Sequence, residues 1–133
     1  MARKELMYEA TDGRDQGHKF KITEMPAAQA ERWAMRAIMA IMKSGAVVPD
    51  NFDKLGMSGM AEIGIRAIAG LEWETAEPLL AEMMSCVQYM PYPKKPQIVR
   101  NLIDEDIEEV STRLKLRVEV FKLHTDFLQA AAK

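Results

Sequence analysis

Two pairs of carboxylates are the residues with the most chemistry on offer. Glu74 and Glu77 are three positions apart, and so are Glu105 and Glu108. Carboxylates at i and i+3 share a helix face, and two such pairs on facing helices present the oxygen ligands that Mg²⁺ takes. Both pairs fall at expected helix starts, however, where acids are favoured by the positive end of the helix dipole. Capping and solubility are therefore the simpler assignment. Cys86 is the single cysteine, and His18 and His124 are the two histidines. None of them has a neighbour at a metal-ligand spacing. Nothing in the sequence orients a Cys86–His124 nucleophile pair. Cys86 reads as a small buried hydrophobe, and His124 as a locally bonded rim side chain. No glycine-rich phosphate loop or nucleophile elbow occurs. The expectation is a protein that is not an enzyme and holds no metal or cofactor.

The totals narrow the class further. The chain has 133 residues, which points to one domain able to bury a core without staples. Charged residues make up 29% and hydrophobic ones 48%, a globular composition. The net charge of -2 argues against a nucleic-acid binder, which needs a basic excess or a basic face. A lone cysteine forms no intramolecular disulfide, which fits a cytosolic setting. Met1-Ala2-Arg3-Lys4 is followed by mixed polar sequence rather than the apolar run of a signal peptide. No stretch is apolar enough for a membrane span, so no membrane partner is expected.

The elements that must position these residues divide a single domain, 1–133, into four parts. Residues 1–25 read as a β-hairpin, with strands Lys4–Ala10 and His18–Glu24 around the turn signal Asp12-Gly13. Phe20 and Ile22 alternate with Lys19, Lys21 and Thr23, as a half-buried ribbon requires. Two strands alone are marginal in water, so this ribbon must lie on helices or pair with another strand. Residues 26–89 read as a helical core. Its first helix is bounded by Pro26 and Gly45. A break follows at Ala46–Asn51, then a helix from near Ser58 to Gly70, then a third from about Thr75 to Tyr89. Residues 90–103, with Pro91, Pro93 and Pro96, form a stiff connector. Residues 104–133 form a long C-terminal helix, with Asp104 as its N-cap and Glu105 and Asp106 in the first turn. The fold expected is mainly α: about four helices with an N-terminal β-hairpin.

Two of these helices carry more apolar surface than one small core consumes. On the first, Ala30, Trp33, Ala34, Ala37, Ile38 and Ile41 fill one face, and Met35, Met39 and Met42 fill an adjoining one. Gln29, Arg32, Arg36 and Lys43 share a narrow polar arc, and Glu31 interrupts the apolar side. A helix that is apolar most of the way round is wrapped by other structure or grips a partner. Methionine, flexible and polarizable, suits irregular partner surfaces. The last helix has two stripes. Ile107, Val110, Leu114, Val118, Phe121 and Leu128 form one; Leu116, Val120, Leu123 and Phe127 form the other, nearly opposite. Arg113, Arg117 and His124 lie between them on one flank. One stripe closes the core and the other awaits a partner. Met35, Met39, Met42, Val120, Leu123 and Phe127 are the candidate protein-binding residues. Arg32, Arg36, Arg113 and Arg117 are the candidate rim charges.

Several stretches together resemble a known family. They are Tyr8–Asp15, Phe20–Ala27, Ala30–Ala37, Pro78–Met84, Asp106–Val110 with Leu116-Arg117, and Leu123–Phe127. As a set they are similar to the tail assembly chaperones of long-tailed bacteriophages, small proteins also encoded by prophages. The resemblance implies a helical, non-enzymatic protein of the host bacterial cytoplasm, absent from the mature virion. It also implies binding to the tape measure protein, and recruitment of the major tail protein during tail tube assembly. A homo-oligomer using the surplus stripes, and a structural phage protein such as a head–tail connector subunit, are the rival expectations. A weaker one follows from the glutamate pairs, which are similar to those of all-α Mg-dependent nucleotide pyrophosphatases. In that family, though, the pairs lie inside helices.

Overall fold

The computed structural model describes residues 3–45 and 66–124. Among them, four strands and three long helices follow in the order β1 (Glu5–Glu9), β2 (Lys19–Thr23), α1 (Ala27–Ser44), α2 (Trp73–Met84), β3 (Val87–Met90), β4 (Arg100–Asn101) and α3 (Val110–His124). The strands form one antiparallel sheet in the order β1-β2-β3-β4. The fold is thus a mix of helices and a four-stranded sheet, not the mainly α arrangement the sequence suggested.

The hairpin forms as its signals dictate. Tyr8 lies opposite Phe20 and Leu6 opposite Ile22, and all four face the core. The other face is laced with charge, where Glu9 pairs with Lys19 and Glu5 with Lys21. The ribbon's missing support is a third strand from the same chain. Ile22 pairs with Val87 and Phe20 with Tyr89, so β2 is satisfied on both sides.

This third strand corrects the helix expected over residues 75–89. α2 stops at Met84, where the Ser85 hydroxyl donates back to the Glu82 carbonyl. Val87 is β-branched and Tyr89 aromatic, and both fit a pleated surface with cross-strand neighbours. The connector expected over 90–103 is corrected with it. Its prolines lie in the loop between β3 and β4, which pair through Gln88 with Asn101 and Tyr89 with Arg100. The last helix is also shorter at its start than expected. Asp104–Asp106 is a single 3-10 turn, and α3 begins at Val110.

α1 follows its sequence signals closely. Gly45 ends it with φ +81°, a left-handed conformation that glycine adopts without penalty. Trp33 locks α1 to the other helices. Its indole N–H donates to the Leu79 carbonyl of α2 at 3.0 Å, and its ring meets Phe121 of α3 edge-on at 6.1 Å. His124 fixes the junction of β2 and α1. The Met25 amide donates to its Nε2 at 2.8 Å, and Nδ1 lies 2.8 Å from the Val120 carbonyl, which sets the Nδ1–H tautomer. The core beneath is made of Phe20, Ile22, Ile68, Met83, Leu116 and Val120, all essentially inaccessible to water.

A polar clasp holds the start of α3. Asp15, at the tip of the β1–β2 hairpin, is fully buried. Its carboxylate accepts the amides of Glu108 and Glu109 at 2.8 and 2.9 Å, and a bond from Thr112. Arg14 grips the Glu109 carboxylate at 2.7 Å and the Glu108 carbonyl at 2.8 Å. Asp15 therefore supplies the anion at the helix N-terminus that the sequence assigned to Asp104, Glu105 and Asp106. Asp106 is instead held by both arms of Arg100, whose guanidinium stacks over Tyr89 at 4.9 Å. Gly13 turns the loop into the clasp with φ +68°, and a Cβ there would lie 2.7 Å from a Glu109 carboxylate oxygen. Gly13→Ala is expected to cost about 1–2 kcal/mol, from left-handed strain and displacement of Glu109. Urea denaturation reads this directly; an unchanged midpoint would contradict the tight approach.

Candidate functional site

Helical geometry fixes which side of α1 each side chain takes. Trp33 and Ala37 are buried and define the inner side. Gln29 and Arg36 lie next to them toward α2, where both donate to the Glu82 carboxylate. Burial pushes the Glu82 carboxyl up, but the bonds from Arg36 and Gln29 outweigh it and hold it below the ordinary range. At about 100° per residue, Met35, Met39 and Met42 fall on the side away from Trp33. They are 52%, 63% and 73% exposed. That is the part of a surface helix normally given to charge. Arg32 is also exposed and borders this row with Lys43. Of the two rim charges expected on α1, Arg36 is spent on the α1–α2 contact, and Arg32 is exposed with its charge also acting on Glu82.

α3 reverses the expected roles of its two stripes. Leu116 is 0% exposed and Val120 1%, so both belong to the core. Leu123 is half-buried against the same cluster. Val120 and Leu123 are thus corrected from partner contacts to folding residues. The reason is the position of the sheet: the row Thr112, Leu116, Val120 faces inward. The opposite row emerges. Val110 is 74% exposed and Leu114 50%, while Phe121, further along the same side, is partly covered and meets Trp33. Arg113 and Arg117 flank the exposed part and are half-buried. Phe127 and Leu128 lie outside the described residues. So do the expected break at Ala46–Asn51, the helix start at Ser58, and the side chains of Ile38 and Ile41.

Cys86 and His124 are both engaged by neighbouring backbone groups. Burial, then the nearby Glu82 charge, pushes the Cys86 thiol up to about 11, so the thiolate that would attack an electrophile is scarce near neutrality. His124, its proposed partner, has both ring nitrogens engaged by backbone groups. Glu74, Glu77, Glu105 and Glu108 are exposed. Among the described residues no group of three His, Cys, Asp or Glu is placed to hold a metal ion. Among the described residues, a depression of about 180 Å³ opens between β2, the start of α1 and Ser85–Cys86. It is smaller than the pockets that engulf small-molecule ligands, roughly 300–1,000 Å³. Also among the described residues, no helix is long and apolar enough to cross a membrane.

The described surface carries two apolar helix faces, the methionine row of α1 and the Val110–Leu114 edge of α3, beside separately exposed apolar side chains at Met7, Trp73, Tyr92, Ile98 and Ile103. The second was legible as an apolar stripe, but nothing in the sequence marked it as the exposed one. No family model, curated protein or solved structure matches the chain.

Proposed function

We propose that this protein is a client-binding chaperone of the phage tail assembly type, which covers the apolar helical surface of a tape measure protein until the tail assembles. The single observation that carries the reading is the outward methionine row of α1, Met35, Met39 and Met42. Three large, adaptable apolar side chains in line on a solvent-facing helix fit capture of an amphipathic helix, whose anchors recur at i, i+3, i+4 and i+7. A long amphipathic client aggregates unless such a face is covered. The clamps between α1 and α2, through Trp33 and Glu82, hold this row on a fixed support rather than on a loop.

The test is co-expression with the tape measure protein of the same phage. Met39→Asp together with Met42→Asp alters exposed positions, so the melting temperature is expected to stay close to that of the unaltered protein. Soluble, co-purifying client is expected to fall at least tenfold. Undiminished capture by the folded double variant would remove the methionine row from the mechanism. Loss of self-association instead, seen by light scattering without any effect on the client, would assign the face to a homo-oligomer.

A further inference from the structure

Arg113 and Arg117 are one turn apart on α3, half-buried, and without an ion-pair partner among the described residues. The helix itself supplies none. The residue one turn before Arg113 is Glu109, whose carboxylate is taken by Arg14 at 2.7 Å. The positions one turn either side of Arg117 are Arg113, Leu114, Val120 and Phe121. Its Nε is buried with no hydrogen-bond partner among the described residues. Like charges at i and i+4 repel, and a buried donor left unbonded costs stability. Burial pushes the Arg117 guanidinium below its usual range, and the charge of Arg113 pushes it the same way. Among the described residues, nothing relieves this cationic pair.

An apolar strip runs beside it. Phe121 is partly covered where it meets Trp33, and Val110 and Leu114 continue the same side of α3 into solvent. On α1 the methionine row is bordered by the exposed cations Arg32 and Lys43 on one side and by the exposed Glu31 on the other. The α3 strip therefore has a positive edge, although the whole chain carries a net charge of -2. That local sign selects a complementary partner.

We propose that Val110, Leu114, Arg113 and Arg117 form a seat for an amphipathic helix with an acidic border, its apolar side on Val110 and Leu114 and a carboxylate bridging the two guanidinia. Planar guanidinium forks bind carboxylates with two parallel bonds, and a bridging carboxylate also removes the repulsion between the arginines. Arginines that become fully desolvated at the centre of a contact carry much of its binding energy. A phosphate polymer fits less well: two cations beside an apolar strip make a poor track for a charged backbone, and the net charge repels it. The assignment rests on the client-binding reading above and specifies the chemistry of the client segment.

The probe is a synthetic amphipathic helical peptide with leucines on one face and glutamates along its borders, titrated into the full-length protein by fluorescence anisotropy. A second peptide replaces the glutamates with lysines. The acidic peptide is expected to bind roughly tenfold or more tightly than the basic one, with affinity falling as salt rises. Arg113→Glu with Arg117→Glu is expected to invert that preference, and Leu114→Ser to weaken binding of either peptide. Equal affinity for both peptides, or no inversion in the charge-reversed variant, overturns the proposal. So does tighter binding of duplex DNA than of the acidic peptide. If the arginine variants leave peptide binding intact while Met39→Asp with Met42→Asp abolishes client capture, this seat is wrong and the chaperone reading stands. If peptide binding inverts but client capture never depended on the methionines, the seat stands and that reading fails.

Discussion

Asp15→Ala is expected to destabilise the protein by about 3 kcal/mol or more at neutral pH, although Asp15 lies in a surface hairpin. The carboxylate is fully buried, and its removal strands the amides of Glu108 and Glu109 and the Thr112 hydroxyl together. Breaking such a buried network belongs to the few mechanisms with effects of this size. In a domain of this length the loss corresponds to a fall in Tm of roughly 10 °C. The pH dependence follows from the direction in which folding moves the group. Burial pushes the Asp15 carboxyl up, but the bonds from the Glu108 amide, Thr112 and the Glu109 amide outweigh it, and the net position is below the ordinary value of 3.8. Asp106 is lowered in the same sense, burial being outweighed by Arg100 and the Ile103 amide. A carboxyl lowered on folding contributes stability that is present above its unfolded value and lost as pH falls through the folded one. The gap between the unaltered protein and Asp15→Ala should therefore be full at pH 7 and shrink below about pH 4. Thermal melts at both ends of that range measure it. A gap that stays constant with pH would mean that the carboxylate charge is not what holds α3.

That clasp also shows where sequence reading stops. Local signals were enough for β1, β2 and α1: Asp12-Gly13 marks the turn, Phe20 and Ile22 alternate, and Gly45 ends a long periodic run. The methionine row was legible for the same reason, because its placement depends only on helical spacing and on Trp33 facing inward. β3 was not legible. Val87–Met90 is too short to show a period of its own, and it follows Leu79–Met84 closely enough to extend that helix's apolar face. Its strand state comes from pairing with β2, a tertiary effect that overrides local preference. The Asp15 contact joins residues more than ninety positions apart, and no local rule links them. Acids clustered at Asp104–Asp106 looked sufficient to start the last helix. In fact Asp106 is spent on Arg100 and the cap arrives from the other end of the chain.

The inside and outside of α3 could not be ranked from sequence, because both of its stripes are apolar and the buried row begins with a threonine. The structure makes them distinguishable by substitution at two positions separated by a single residue. Leu116 is 0% exposed and Leu114 is 50% exposed. Leu116→Ala is expected to cost about 3–5 kcal/mol, since it removes buried methyl groups and leaves a cavity between α3 and the sheet. That is a large share of the roughly 5–15 kcal/mol that holds a domain together. Leu116→Asp adds an unpaired buried charge and is expected to prevent folding altogether. Leu114→Asp is expected to change stability by less than about 1 kcal/mol, because the new carboxylate reaches water and lies beside Arg113 and Arg117. Urea denaturation of the three variants decides the matter. Equal costs at positions 114 and 116 would mean that both stripes are consumed in folding, and α3 would then have no apolar face left to give a partner.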